Sequence, residues 1–175
     1  MSISLVALVT AGSAGLGAAT AKAFAAAGYR VIINYNSDSS RASSLLAELE
    51  KLSPLPKPAT ESSPNFLSIK ADLSKRPEIE RLVSEAAAAW GRLDVVFSNG
   101  GWTSITDFGD LDDNLDEEMW DQCWNMNVKS HLWMMHAARK HLDETEGCLI
   151  TTASLAGVRP SGSSVVCYFI FYSLP

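Results

Sequence analysis

Short unbroken apolar runs alternate along the chain with longer segments whose apolar positions recur at helical spacing. Leu5 to Val9 is the first run, followed by the Gly-rich stretch TAGSAGLG and by AATAKAFAAAG, a strong helix former that stops at Gly28. YRVIINYN centres on a second strand at Val31 to Ile33, and SSRASSLLAELEKL predicts a helix starting near Ser39. FLSIKADL predicts a third strand. Ser74 is then placed to cap a helix with Pro77 in its first turn and Gly91 at its end. LDVVFSNGG predicts the fourth strand, MWDQCWNMNVKSHLWMMHAARKHL a long helix, and GCLITTAS the fifth strand.

Strands that alternate with helices, without tandem hairpins, specify an α/β fold. They predict a parallel sheet with helices on both faces and right-handed crossovers. Ser53 to Asn65 holds four prolines and little that is apolar, so it reads as a surface loop within one domain. The acidic stretch from Asp107 to Glu118 precedes the long helix, where carboxylates suit the positive end of the helix dipole.

Composition narrows the function classes. A hydrophobic fraction of 47% and a charged fraction of 19% are ordinary for a globular chain of 175 residues. The net charge of −6, with no cluster of Lys and Arg, argues against a nucleic-acid partner. Cys123, Cys148 and Cys167 form no CxxC pair, are odd in number and read as core filler in a reduced chain. The N-terminus lacks the basic region of a signal peptide, and the apolar tail falls short of the roughly 18 residues that suggest a membrane span. A cytoplasmic protein without a membrane partner is the expectation.

In a doubly wound sheet the ligand crevice lies beyond the carboxyl ends of the strands. The first such end carries Gly12-x-x-Gly15-x-Gly17, which lets backbone approach a pyrophosphate at a helix N-terminus. Four further strand-end or helix motifs follow in order: ADL with Asp72, SNGG from Ser98 to Gly101, MNVKS with Asn127, and TTASLAG with Ser154. Together these resemble the TGxxxGxG turn and the companion motifs of the short-chain dehydrogenase/reductase family over residues 4 to about 164. The resemblance implies a Rossmann-type doubly wound sheet, truncated after the fifth strand, with residues 1–164 as an incomplete NAD(P)-binding domain and 165–175 as a divergent tail. It also implies that Thr10, Gly12, Ser13, Gly15, Leu16 and Gly17 border the cofactor pyrophosphate, with Asn34 at the end of strand two. Asp72 and Leu73 would lie at the adenine, Asn99 would brace strand four beside the ribose, and Gly100 and Gly101 would complete that turn. Asn127 would hold a proton-relay water and Ser154 would hydrogen-bond a substrate carbonyl. Ala11 and Ser98 depart from the family's usual Gly and Asn, and Gly12 is expected to relieve the turn at Ala11.

The segment Asn34 to Ser37 has no carboxylate before Asp38, which leaves room for a 2′-phosphate and favours NADP over NAD. Arg41 could pair with that phosphate, or could equally be an exposed helix residue. His131, His136 and His141 are each turned about 140° from the last, so they do not converge on a metal. Trp120, Trp124, Met134 and Met135 read as core or subunit contact. Trp102 could be a substrate-pocket wall or simple packing.

The family's chemistry needs a Tyr with a Lys four residues later, the Lys lowering the phenol's pKa toward the working range. GVRPSGSS still resembles the approach to that Tyr, but Tyr168 comes about one place late and no Lys follows Lys140. The change of character after Ser164 suggests altered coding. The expected function is NAD(P)-dependent interconversion of a small carbonyl and alcohol, impaired in this chain. The alternative is a catalytically silent nucleotide-binding or partner-binding fragment, with exposed apolar surface that favours association with itself or a partner.

Overall fold

The computed structural model describes residues 4–57, 64–107 and 109–155. Five strands, β1 (Val6–Val9), β2 (Arg30–Tyr35), β3 (Phe66–Lys70), β4 (Val95–Ser98) and β5 (Cys148–Thr151), form one parallel sheet in the order β3-β2-β1-β4-β5. This is the expected doubly wound arrangement. The strand order reverses at β1, and the crevice beyond the carboxyl ends opens there.

Side chains alternate between the two faces of the sheet. Val6, Leu8, Ile32 and Val96 pack with α3 (Arg76–Trp90) and α5 (Ser130–Thr145) through Ile79, Leu82, Met134 and Ala138. Val9, Val31, Ile33 and Phe97 pack on the other face with α1 (Gly15–Ala26) and α2 (Ser39–Leu52) through Ala21, Ala25, Leu45 and Leu49. Strands apolar on both faces are what a sheet covered on both sides requires.

The helix after β3 starts differently from expectation. Lys75, not Ser74, is the N-cap of α3, and it makes no side-chain cap bond. The Asp72 carboxylate is the stronger acceptor and takes both the Ser74 amide at 3.0 Å and its hydroxyl at 2.8 Å. Glu78 in the first turn reaches back to the Asp72 amide at 2.8 Å. The long helix is also broken in two. α4 (Glu117–Trp124) is capped by Asp116 and carries Glu117 and Glu118 in its first turn, and a π-helical turn at Asn125–Lys129 joins it to α5.

Cys123 is buried, as a core residue should be, but Cys148 is exposed because β5 is the edge of the described sheet. Ile150 on the same strand is also exposed. Cys167, the stretch from Gly157 to Ser164 and the tail from Val165 to Pro175 lie outside the described residues. Among the described residues, no helix is long and apolar enough to cross a membrane.

The turn between β1 and α1 is tightly constrained. A side chain at Gly12 would come within 2.8 Å of both Ile33 Cβ and the Val9 carbonyl. Gly12 therefore permits close packing but does not relieve the turn, and the left-handed conformation falls on Ala11 at φ 47°. Asn34, almost fully buried, holds this conformation: its Oδ1 accepts from the Ala11 amide at 3.1 Å and its Nδ2 donates to the Ala71 carbonyl at 3.0 Å.

Two outcomes follow for stability. A left-handed L-residue costs roughly 1–2 kcal/mol, and glycine's extra unfolded-state entropy takes back about 0.5–1 kcal/mol. Ala11→Gly should therefore raise stability by about 0.5–1 kcal/mol, read as a higher urea midpoint. Asn34→Ala leaves the part-buried Ala11 amide and the buried Ala71 carbonyl unpaired, and should cost about 2 kcal/mol in the same measurement.

Candidate functional site

Two clefts flank Gly100, Gly101 and Trp102 at the carboxyl edge of the sheet. The larger, of about 350 Å³, is bordered by Ser13 and Ala14 at the start of α1, by Asn34 to Asp38 after β2, and by Asp72 and Leu73 after β3. The smaller, of about 240 Å³, lies between Asn99 to Thr103, Asn127 and His131 on one side and Thr152 to Ser154 on the other. Trp102 borders both, which makes it a pocket wall.

The start of α1 is left uncapped. Its N-cap is Ala14, with no side-chain cap bond and no acidic residue in the first turn, whereas α2 and α4 are capped by Asp38 and Asp116. The first amides of α1 therefore keep their hydrogen-bonding capacity at the positive end of the helix dipole. Gly15 takes φ +52°, and no atom lies within 4 Å of where its Cβ would sit. The backbone at Gly15 is therefore open to close approach. Leu16 is exposed beside it. Gly17 is buried, and a Cβ there would strike the Ala11 carbonyl and come 3.0 Å from Asn99 Nδ2.

The walls are held by hydrogen bonds from strand ends. Thr10 Oγ1 accepts from the Asn99 amide at 2.8 Å and the Gly100 amide at 3.2 Å, and donates to the Phe97 carbonyl at 3.3 Å. Asn99 Oδ1 accepts from the Thr152 hydroxyl at 3.0 Å. Asn99 thus ties the end of β4 to Thr10 and Thr152. Any Cβ on Gly100 would run into Leu73. Asn34 lines the larger cleft but its amide is engaged with Ala11, Tyr35 and Ala71, so its direct service is to the turn.

Asn127 is buried in the π turn, and its amide clamps Trp102. Oδ1 accepts from the Trp102 amide at 2.8 Å, while Nδ2 donates to the Trp102 carbonyl at 2.8 Å and to Cys123 Sγ at 3.0 Å. Both amide protons are occupied, so the side chain acts as a clamp on Trp102. Ser154 is exposed and borders the smaller cleft. Tyr168 lies outside the described residues.

Two carboxylates face the larger cleft. Partial burial alone would raise the Asp72 pKa, but bonds from Ser74 and the Lys75 ammonium at 3.3 Å outweigh it and hold the carboxyl below its ordinary value. Asp38 is held low by the Arg41 amide and by the Ser40 hydroxyl. Arg41 Nε lies 3.4 Å from Asp38 Oδ2, and both residues border the cleft.

His131 is a site residue that sequence reasoning missed. Its Nδ1 lies 2.7 Å from Ser98 Oγ, and burial keeps its pKa below the ordinary histidine value. The available signal was its spacing of one helical turn from Asn127, together with Ser98 standing where the family has Asn. Among the described residues, no group of three or more His, Cys, Asp or Glu side chains is placed to hold a metal ion.

Comparison with known proteins agrees with this architecture. The model of the short chain dehydrogenase family matches residues 5–168, past Ser164 and as far as Tyr168. A short-chain dehydrogenase/reductase of Pestalotiopsis microspora is 34% identical over 151 residues, covering 86% of this chain and 52% of the relative. The crystal structure of a short chain dehydrogenase from Burkholderia cenocepacia J2315 in complex with NADP is 33% identical, with a TM-score of 0.78 over 94% of this chain and 61% of that one. An NADH-dependent reductase complexed with NAD is 25% identical, with a TM-score of 0.82 over 96% of this chain and 67% of that one. The chain thus spans about half the length of the curated relatives it matches. With the family model matched over residues 5–168 and a parallel-sheet fold similar to that of solved relatives, this chain belongs to the short-chain dehydrogenase/reductase family.

Proposed function

We propose that this chain binds NADP in the larger cleft, as the cofactor half of an oxidoreductase that interconverts a small carbonyl and an alcohol. The observation that carries the reading is the uncapped start of α1, with Gly15 open in front of it, at the mouth of a cleft that ends at Asp72 and Leu73. The α1 amides would take the pyrophosphate, Asp72 and Leu73 would border the adenine, and Asn99 would fix the turn beside the ribose. Arg41 would exchange part of its contact with Asp38 for the 2′-phosphate, which favours NADP over NAD. When bound, the nicotinamide supplies or accepts the hydride.

In the smaller cleft, Ser154 would donate to the carbonyl oxygen and Asn127 would hold Trp102 as the facing wall. Neither side chain delivers a proton near neutral pH. An unassisted phenol has a pKa near 10, and the fourth residue after Tyr168 is Tyr172 and not a Lys. Turnover by this chain alone is therefore proposed to be impaired. A second reading, a silent nucleotide- or partner-binding chain, is favoured by the exposure of Ile150 and Leu155 beside β5, a surface suited to association.

Calorimetric titration should give binding of NADP tighter than NAD, and Arg41→Ala should weaken NADP by several-fold while leaving NAD nearly unchanged. Absence of heat with either nucleotide, from protein folded by circular dichroism, overturns the reading. Gly15→Val should abolish binding, because a β-branched residue is strained at φ +52° and fills the phosphate space. NADPH oxidation with small ketones should be undetectable for the unmodified chain. Replacing the sequence after Ser164 with that of an active family member should restore it, and Ser154→Ala in that chimera should remove most of it.

A further inference from the structure

Ser98 ends β4 and is 2% exposed, and its hydroxyl lies 2.7 Å from His131 Nδ1. Among the described residues, Ser98 Oγ makes no other hydrogen bond. This favours the hydroxyl as the donor. If Nδ1 carried the proton, the buried Ser98 hydroxyl hydrogen would have no acceptor, at a cost of about 1–3 kcal/mol. If the hydroxyl donates to Nδ1, only an oxygen lone pair is left unfilled. The proton of the neutral ring then sits on Nε2, which the ring geometry directs away from Ser98.

His131 borders the smaller cleft beside Asn127 and across from Ser154, and no charged side chain lines that cleft among the described residues. We propose that Ser98 and His131 form a substrate-recognition pair, in which His131 Nε2–H donates to a second, neutral oxygen of a substrate whose reacting carbonyl is taken by Ser154. The substrate class is a small ketone, or its alcohol, that carries a further hydroxyl or carbonyl close to the reacting carbon. A carboxylate substrate would meet no cation there. Burial lowers the imidazole pKa, so the ring is neutral at neutral pH and donates a hydrogen bond without supplying a proton. This inference rests on the reading of the larger cleft as the cofactor site.

The test uses the full 175-residue chain with ¹⁵N-labelled histidine. Long-range ¹H–¹⁵N spectra should show His131 as the Nε2–H tautomer, and Ser98→Ala should release the Nδ1–H form. In the presence of NADP⁺, which offers no hydride to a ketone, 2-hydroxycyclohexanone should bind about fivefold or more tighter than cyclohexanone, as one good hydrogen bond implies. The ratio should fall to about one in His131→Leu and persist in His131→Gln, whose amide nitrogen can take the place of Nε2; a merely structural role would leave it unchanged in both. Wild-type protein decides the matter even where a variant fails to fold. A dominant Nδ1–H tautomer, or equal affinity for the two ketones with NADP⁺ bound, overturns the pair while leaving the cofactor reading intact. Absence of NADP⁺ binding overturns both.

Discussion

One hydroxyl sets the level at which the strands end. Parallel strands finish with amides and carbonyls that have no ladder partner, and these must be satisfied if they are buried. Thr10 Oγ1, just past β1, meets that need at the end of β4 by accepting from the Asn99 and Gly100 amides, and its bond to the Phe97 carbonyl adds to the one from the Thr10 amide. Asn99 extends the junction to β5 through the Thr152 hydroxyl, and back to β1 through the Thr10 carbonyl at 3.3 Å. With these ends fixed, Gly100 lies against Leu73 and Gly101 against Asn127 Oδ1. The two clefts therefore share one wall, built from Gly100, Gly101 and Trp102.

The fold was legible because its signals are local and redundant. Each strand is an apolar run bounded by Gly or polar residues, and each helix has a propensity or capping signal of its own. The order of elements then leaves few topologies to consider. Capping was legible where a single acid precedes a helix, as at Asp116, and misleading where two acceptors compete, as at Asp72 and Ser74. The exposure of Cys148 depends on the edge position of β5, which no local pattern records. Asn34 is the clearest case of hidden function. It looks like a polar residue in reach of a ribose, yet its burial and its bond to Ala11 join residues 23 positions apart in sequence. The same limit applies to Ser98 and His131, which lie 33 positions apart and meet only once β4 and α5 are packed.

Strain at Ala11 and the bond from Asn34 belong together. A left-handed alanine is tolerated only where its surroundings over-determine it. Here the following residue has no side chain because Ile33 and Val9 leave no room, and the Ala11 amide is held by a buried acceptor. The turn consequently keeps its shape without the usual glycine at that position. Its shape matters because Gly17 packs directly on the Ala11 carbonyl, so a relaxed turn would push α1 outward and tilt its first amides off the cleft.

The charge balance of the cleft is compatible with a phosphate even though the chain carries a net charge of −6. The carboxylates nearest the cleft are already engaged, Asp38 with Ser40, Arg41 and the start of α2, and Asp72 with Ser74 and Lys75. Each stays ionised, and the neighbouring Arg41 and Lys75 offset its charge toward an approaching anion. The uncapped amides of α1 have no such internal partner, and they sit at the positive end of a helix of twelve residues. Exposed acids elsewhere act only over about 8–10 Å at physiological ionic strength, so the local amides weigh more than net charge at this end of the cleft.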